Sequence, residues 1–227
     1  MNDKTFLVGA DDQLEDLLPW WYANVRKHNP NIDVTVADFG MTDSGRFWAE
    51  RHANKVLTYE KHPKLAWFYK PTAMIDCPYE YTCWLDIDCE VLKPVDEIFN
   101  YPTDDQMALT QDEVRMGYPV KFGGAENWWA TGVNVVKGKP QILLDWARNT
   151  LHNNDLRGDQ EVLHQMIKEK PEYNDMIIKM PLEYQWLRIL VQERKYDSAD
   201  KKIMHWTGPV GKAYIRAELM PLAGFLP

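Results

Sequence analysis

Cysteine is scarce in this 227-residue chain, which has only Cys77, Cys83 and Cys89. An odd number without a CxxC pair indicates reduced structural thiols and argues against a disulfide scaffold or a zinc site. No apolar run approaches the roughly 18 residues of a membrane span. The first residues also lack the basic region, apolar run and cleavage site of a signal peptide, so the sequence predicts a cytoplasmic location.

Clusters of basic residues are also missing. The 26 lysines and arginines are dispersed and are outnumbered by 34 aspartates and glutamates, which gives a formal net charge of −8. This charge argues against a nucleic-acid-binding protein, which would carry a basic stripe. The motifs GxSxG, HExxH and GxGxxG do not occur, so hydrolase, zinc-protease and dinucleotide-binding functions have no support in the sequence.

The length and apolar pattern predict one α/β domain over residues 1–227, with no internal repeat and no linker. The N-terminal part alternates strands and helices, with strands at 5–10, 32–38 and 55–58 and helices at 13–28 and 44–52. Pro19 within the first helix indicates either a later start or a kink. This order predicts a mostly parallel central sheet with crossover helices, of the Rossmann-like type.

The remaining elements are predicted less regularly. The pattern favours a helix near 65–75, an acidic strand within 81–92, strands at 106–111, 131–136 and 176–180, and helices at 140–150, 159–168 and 187–193. Gly117, Gly123 and Gly124 predict a mobile loop that also carries Phe122, Trp128 and Trp129. These aromatic side chains would form either an acceptor platform or ordinary packing.

The acidic strand carries the strongest chemical signal. Period-two geometry places Leu85 and Ile87 on one face and Asp86 and Asp88 on the other. Two adjacent carboxylates repel each other unless a cation or a shared proton compensates them, and a hard divalent ion with oxygen ligands does so. An acidic pair at the end of a buried strand also fits the ligand position of α/β sheets. Taken alone, the pair is weak evidence, because such triplets occur more often on solvated edges than in metal sites.

Four segments together resemble one family. They are Trp84–Asp88 with the following Val91–Pro94, Ala130–Val136, Gly158–Leu163 and His205–Lys212. In this order they resemble the DxD strand, the NSGV strand, the DQ helix start and the HxxGxxKPW motif of the GT-A glycosyltransferases. Within that group the sequence is most similar to the family-8-like enzymes. Ala130-Thr131 replaces Asn-Ser and Ala213-Tyr214 replaces Pro-Trp. The matches span most of the chain, and the resemblance implies a GT-A fold.

The same resemblance implies a metal site formed by Asp86, Asp88 and His205. Two carboxylates and one imidazole suit Mn²⁺ somewhat better than Mg²⁺, because imidazole is the softer donor. Without its motif, His205 would be interpreted as a half-buried histidine with its hydrogen bonds satisfied. Lys212 would contact the donor diphosphate, while Gly208 and Gly211 would let the backbone approach the phosphates.

The remaining site residues also follow from the resemblance. Ala10 and Asp11 would hold the nucleoside and Lys70 would lie near the donor sugar and phosphates. Asp159 and Gln160 would face the transferred sugar. Each has a simpler alternative: Asp11 can cap the following helix, Lys70 can be an exposed lysine and Asp159 can be an N-cap.

The expected function is therefore metal-dependent sugar transfer from a nucleotide sugar, with UDP as the family's usual nucleotide, to a glycan or small-molecule acceptor. Family-8 resemblance implies retention of configuration, whereas inversion would need a carboxylate base from among Asp112, Glu113 and Asp159. A sugar nucleotidyltransferase, a nucleotide-sugar hydrolase and an inactive metal- or carbohydrate-binding relative are the alternatives. The donor sugar, the acceptor and the oligomeric state stay open at this stage.

Overall fold

The computed structural model describes residues 3–61, 66–116, 127–152, 155 and 158–224. The strands in chain order are β1 (Lys4–Ala10), β2 (Asp33–Asp38), β3 (Lys55–Thr58), β4 (Tyr81–Leu85), β5 (Cys89–Val91), β6 (Met107–Gln111), β7 (Trp129–Lys137), β8 (Ile177–Lys179), β9 (Trp186–Leu187) and β10 (Ile203–His205). The α-helices are α1 (Leu18–His28), α2 (Asp43–His52), α3 (Lys70–Asp76), α4 (Glu113–Met116), α5 (Gln141–His152), α6 (Asp159–Glu169), α7 (Arg188–Gln192), α8 (Gly208–Tyr214) and α9 (Met220–Leu222). Single 3₁₀ turns include Glu15–Leu17 and Ala66–Tyr69, and α8 continues into a π-helical turn at Ile215–Leu219.

A seven-stranded sheet organises the chain, in the order β3-β2-β1-β4-β7-β6-β8. β1, β2, β3 and β4 pair in parallel, as the strand–helix alternation predicts. β7 runs antiparallel to both β4 and β6, and β8 is parallel to β6. The predicted mostly parallel α/β sheet is confirmed, with β7 as the strand that breaks the parallel order.

The acidic segment differs from the continuous strand that the alternation predicts. β4 ends at Leu85, and residues 86–88 form a turn closed by the bond from the Cys89 amide to the Asp86 carbonyl at 2.8 Å. β5 then joins a second sheet of three strands, in the order β5-β10-β9. The apolar alternation continues through the turn because Ile87 is buried, which is why the sequence pattern does not reveal the break.

The first helix begins later than the apolar spacing predicts. Glu15–Leu17 forms a 3₁₀ turn, and α1 starts at Leu18 with Pro19 in its first turn. Proline is tolerated there because the first amides of a helix have no intrahelical acceptor. The later start is therefore the correct one of the two interpretations of Pro19.

Two apolar clusters cover the two faces of the central sheet. Cys83, Leu85, Ile87 and Cys89 all lie in one of them, as the period-two pattern predicts. Trp84 points into the other, together with the buried face of α5 and α6. All three cysteines are buried with free thiols. Within the described ranges, no helix is both long and apolar enough to cross a membrane.

Candidate active site

A cleft of about 790 Å³ lies at the edge of the central sheet where β1 and β4 end. Asp86 follows β4 and Asp112 follows β6, and both side chains line this cleft. Because β7 is antiparallel to these strands, its early residues Thr131 and Gly132 reach the same edge. The topology thus gathers residues from distant parts of the chain where α/β sheets usually bind ligands.

Three predicted metal ligands converge in the cleft. One ligand atom each from Asp86, Asp88 and His205 lies within 4.8 Å of the others. His205 Nε2 is 3.2 Å from Asp88 Oδ1 and 3.7 Å from Asp86 Oδ2. Two carboxylate oxygens and one imidazole nitrogen form a donor set suited to a divalent ion such as Mn²⁺. The residues present therefore fit the metal that the family resemblance implies.

His205 is placed by β10 and oriented by a buried amide. Gln185 Oε1 accepts a hydrogen bond from the Val133 amide at 2.8 Å, which turns Gln185 Nε2 toward His205 Nδ1 at 3.4 Å. Nε2 of the ring then faces the carboxylates. Gly132 makes this packing possible, because a Cβ there would lie 2.5 Å from His205 Cε1 and 2.9 Å from Gln185 Nε2.

Asp88 is buried and held by two donors. Lys212 Nζ lies 2.5 Å from Asp88 Oδ2, on the other oxygen from the one that faces His205. Burial raises the pKa of Asp88, but the charges of His205 and Lys212 outweigh that effect and hold the pKa below its ordinary value. Burial lowers the pKa of His205, and Asp88 together with Asp86 more than reverses this. Lys212 neutralises a carboxylate here, and its contact with a diphosphate stays a prediction.

Lys70 forms a second charged centre behind Asp86. Its buried ammonium lies 2.9 Å from Asp86 Oδ1 and 3.0 Å from Asp159 Oδ2, and it donates to the Thr131 carbonyl at 3.0 Å. Burial lowers the pKa of Lys70, but Asp159 and Asp86 more than compensate and raise it. The exposed-lysine alternative for Lys70 is therefore wrong. Trp84 Nε1 also donates to Asp86 Oδ1 at 2.7 Å, so that oxygen is fully engaged.

Asp159 lies in the cleft and makes no side-chain cap. Helix α6 begins at Asp159 with no side-chain cap bond from Gly158, and the Asp159 carboxylate instead accepts from Thr131 Oγ1 at 2.9 Å. Burial raises the pKa of Asp159, with Lys70 opposing and Asp86 reinforcing the shift. The interpretation of Asp159 as an ordinary N-cap is thus wrong. Its role toward a sugar stays a prediction.

Gln160 and Asp112 form the next contact along the cleft. Gln160 Nε2 donates to Asp112 Oδ2 at 2.9 Å, and Arg115 Nε lies 3.6 Å from the same oxygen. Asp112 is buried, whereas Glu113 is exposed at the start of α4. Of the three carboxylates considered as a base, Asp112 and Asp159 line the cleft.

The nucleoside residues and the glycines also line the cleft. Ala10 ends β1 and Asp11 follows it. Asp11 Oδ1 accepts from the Gln13 amide at 3.1 Å, so Asp11 makes a local turn and also faces the cleft. Gly208 opens α8 with a φ of +80°, a conformation that favours glycine. A Cβ at Gly211 would overlap the Trp206 carbonyl at 1.6 Å, so its close approach is to the protein backbone.

Of the three aromatic residues considered for a platform, Trp128 and Trp129 are part of the packing. Trp128 is buried and stacks on His164 with ring centroids 3.7 Å apart, and buried Trp129 donates to Asn174 Oδ1 at 3.2 Å. Burial, followed by the nearby charges of Lys168 and Arg115, lowers the pKa of His164. Phe122, Gly117, Gly123 and Gly124 lie outside the described residues.

Several residues that build the site are not among those predicted from the sequence. Gln185, Trp84 Nε1 and Thr131 Oγ1 orient the charged side chains, and Arg115 lines the cleft. Trp84 and Thr131 fall inside the quoted motifs, so their neighbourhood could have suggested them. Gln185 stands 20 residues before its partner, and no spacing rule connects the two.

The fold is shared with solved glycosyltransferases. The galactosyltransferase LgtC, solved with donor and acceptor sugar analogues, has a TM-score of 0.62 at 16% identity over 90% of this chain and 87% of its own. The bifunctional glycosyltransferase WbbM reaches 0.66 at 13% identity, covering 90% of this chain and 46% of its own. The glycosyltransferase GlyE of Streptococcus pneumoniae TIGR4 reaches 0.60 at 13% identity over 91% and 55%. No family model and no curated protein matches the sequence.

These comparisons confirm the GT-A glycosyltransferase fold that the sequence motifs imply. They do so at sequence identities where fold is retained and activity is free to differ. The chain spans about half the length of WbbM and GlyE and most of the length of LgtC. The fold alone therefore does not identify the function, which depends on the residues of the cleft.

Proposed function

We propose that this chain is a metal-dependent glycosyltransferase that moves a sugar from a nucleoside-diphosphate sugar to a hydroxyl group of a glycan or small-molecule acceptor. The convergence of Asp86, Asp88 and His205 in a cleft that also holds Lys70 and Lys212 carries the proposal. Carboxylates beside lysines suit a ligand that brings both a cation and phosphates. UDP is the proposed nucleotide, and the cytoplasmic location expected from the sequence stays a prediction.

Asp86, Asp88 and His205 would hold the metal, with Mn²⁺ favoured over Mg²⁺ by the imidazole. When bound, the ion supplies positive charge that neutralises the diphosphate of the leaving nucleotide. Lys70 and Trp84 occupy Asp86 Oδ1 and leave Asp86 Oδ2 on the side of His205. Asp86 would therefore bind the metal through a single oxygen, Oδ2.

Lys212 would stabilise the departing nucleotide. Its flexible side chain starts in the first helix that follows the His205 strand, and Gly208 lies four residues before it on the cleft wall. An ammonium group placed on a diphosphate stabilises the charge that develops as the bond to the sugar breaks. Ala10 and Asp11, at the end of β1, would contact the nucleoside.

Asp159 and Gln160 are proposed to face the transferred sugar. Asp159 is already bound to Lys70 and Thr131, and Asp112 to Gln160, with Arg115 nearby. A carboxylate committed to cations and donors is a weak base for an acceptor hydroxyl. The commitment of both buried candidates supports retention of configuration over inversion.

Calorimetric titration of UDP, GDP and UDP-sugars tests the proposal, with Mn²⁺ present or chelated. We expect one nucleotide to bind only with metal, and Asp88→Ala to abolish that binding. Asp104→Ala is the matched control, because Asp104 pairs with Lys137 and is not part of the cleft. Nucleotide binding that ignores both metal and Asp88→Ala would refute the proposed site.

Product analysis separates the rival enzymes. A glycosyltransferase releases a nucleoside diphosphate, a nucleotide-sugar hydrolase releases a nucleoside monophosphate and a sugar phosphate, and a nucleotidyltransferase run in reverse consumes pyrophosphate. Proton NMR of the anomeric centre of the product then reports retention or inversion. Metal and nucleotide binding without any turnover would identify an inactive relative of the fold.

A further inference from the structure

Each oxygen of Asp88 lies beside a cationic or hydrogen-bonding side chain. Lys212 Nζ lies 2.5 Å from Oδ2, and His205 Nε2 lies 3.2 Å from Oδ1. The Asp88 side chain is only 4% exposed, so water has little access to it. A divalent ion that binds Asp88 must therefore compete with a positively charged or hydrogen-bonded neighbour that is already in place.

Lys212 is the donor that is able to leave. Its side chain is 23% exposed, and Asp88 is the carboxylate with which it pairs among the described residues. Lys70, in contrast, is 3% exposed and is held by Asp86, Asp159 and a backbone carbonyl. A lysine ammonium on a four-carbon stem can move from one anion to another by side-chain rotation. Of the two lysines that line the described cleft, Lys70 is therefore a fixed cation and Lys212 an exchangeable one.

The backbone around Lys212 is held in place, so the exchange occurs by rotation of the Lys212 side chain and not by movement of the helix. The Trp206 amide donates to the Asp88 carbonyl at 2.9 Å, and Trp206 Nε1 donates to Glu90 at 2.9 Å. Tyr214 stacks on Trp206 with ring centroids 4.6 Å apart, and Gly211 packs directly against the Trp206 carbonyl. The start of α8 is thus tied to the same turn that carries Asp88.

We propose that Lys212 competes with a divalent ion for Asp88 and that it moves to the diphosphate when the ion binds there. The inference rests on the proposed function, because it assumes a metal at Asp88 and a phosphate-bearing ligand beside it. Metal and diphosphate binding are then coupled through one side chain. When no metal is bound, Lys212 keeps the buried charge of Asp88 paired.

The exchange has a test in which two affinities change in opposite directions. Lys212→Met removes the competitor, so the affinity for Mn²⁺ alone rises by about tenfold, equivalent to roughly 1.4 kcal/mol. The same variant weakens the binding of UDP in the presence of Mn²⁺. Free Mn²⁺ is measured by electron paramagnetic resonance on the full chain, so no turnover is needed. Lys212→Arg keeps the cation and retains wild-type Mn²⁺ affinity.

The matched control is Lys201→Met, which removes an equally close lysine–aspartate pair with Asp197 outside the cleft. It leaves the Mn²⁺ affinity unchanged. Lys212→Gln serves as a second neutral variant in case Lys212→Met folds poorly. If neutral variants bind Mn²⁺ no more tightly than wild type, the substitution mechanism is wrong.

The wild-type chain provides a measurement free of substitutions. Acetylation of lysines by an activated ester, quantified by mass spectrometry, reports how accessible each ammonium is. Mn²⁺ alone is expected to increase the acetylation of Lys212 relative to Lys201, and subsequent addition of UDP to reduce it. A Lys212 reactivity that Mn²⁺ leaves unchanged or lowers overturns the inference.

The two proposals fail separately. Tighter Mn²⁺ binding in Lys212→Met without any nucleotide binding supports the competition at Asp88 and contradicts the glycosyltransferase. Metal-dependent UDP binding with unchanged Mn²⁺ affinity in Lys212→Met supports the glycosyltransferase and contradicts the exchange. Absence of Mn²⁺ binding in every variant contradicts both.

Discussion

Replacement of Lys70 by methionine tests the charged centre behind the proposed metal site. Lys70→Met keeps the length of the buried stem but removes the cation shared by Asp86 and Asp159. Removal of one partner from a buried ion pair typically costs about 3–5 kcal/mol. Because the Asp86 side chain is 26% exposed, water can compensate part of its charge. We therefore expect a loss near the lower limit, about 3 kcal/mol.

Thermal unfolding in the presence of a chelator measures this loss. For a chain of this length, 1 kcal/mol shifts the melting temperature by about 2–4 °C, so Lys70→Met should unfold about 6–12 °C earlier. Lys202→Met is the matched control, because Lys202 also bridges two carboxylates, at 2.6 Å from Glu97 and 3.1 Å from Glu183. Glu97 is 40% exposed, so this surface pair should cost no more than about 1 kcal/mol.

Added Mn²⁺ separates an electrostatic cause from simple loss of packing. An ion near Asp86 would restore positive charge that Lys70→Met lacks, so the variant should gain more thermal stability from Mn²⁺ than wild type does. A melting temperature within about 2 °C of wild type in chelator would refute the assigned role of Lys70. An equal Mn²⁺ response in both proteins would show that the lost stability is not electrostatic.

Three further predictions concern two residues beside His205 and one histidine outside the cleft. Gly132→Ala places a Cβ 2.5 Å from His205 Cε1 and should weaken Mn²⁺ binding by at least about tenfold. Gly138→Ala is the control, because its Cβ would enter open space, and it should leave the Mn²⁺ affinity unchanged. Gln185→Glu should strengthen Mn²⁺ binding about tenfold, because a carboxylate accepts the proton on Nδ1 of the ring and frees Nε2 for the ion; an unchanged or weaker affinity would contradict this geometry. The folded pKa of His164 is lowered, so the unfolded chain takes up its proton first and the free energy of unfolding should fall as pH drops below about 6.5. Chemical denaturation of His164→Gln against pH should show a shallower fall across that window, and identical slopes would contradict the assignment.

Elements with a regular apolar spacing and residues within motifs are predictable from the sequence. The strands and helices up to Thr58 follow from apolar spacing, and Asp86, Asp88 and His205 follow from four short segments in a recognisable order. The turn at Asp86 is not predictable in this way, because buried Ile87 continues the apolar alternation across the turn. The second sheet was missed for a similar reason, since β5, β9 and β10 have only two or three residues each.

Partner choice inside the site is less accessible from sequence. Lys70 and Asp159 lie far apart in the sequence, and the antiparallel strand β7 brings Thr131 to both of them. No residue spacing predicts that a lysine will be buried between two carboxylates, because burial depends on how the sheet and α6 pack. The alternatives of an exposed Lys70 and an Asp159 N-cap were reasonable for the sequence and wrong for the fold.

The charges of the cleft explain why a metal and a diphosphate should bind together. Asp86, Asp88 and Asp159 face two ammonium groups, Lys70 and Lys212, which leaves one unit of negative charge before His205 is considered. A divalent ion alone would reverse that sign in a largely buried site, and a diphosphate alone would add repulsion to it. Bound together they return the site close to its original charge. The charges of the cleft therefore suit the pair, and each ligand is expected to increase the affinity for the other.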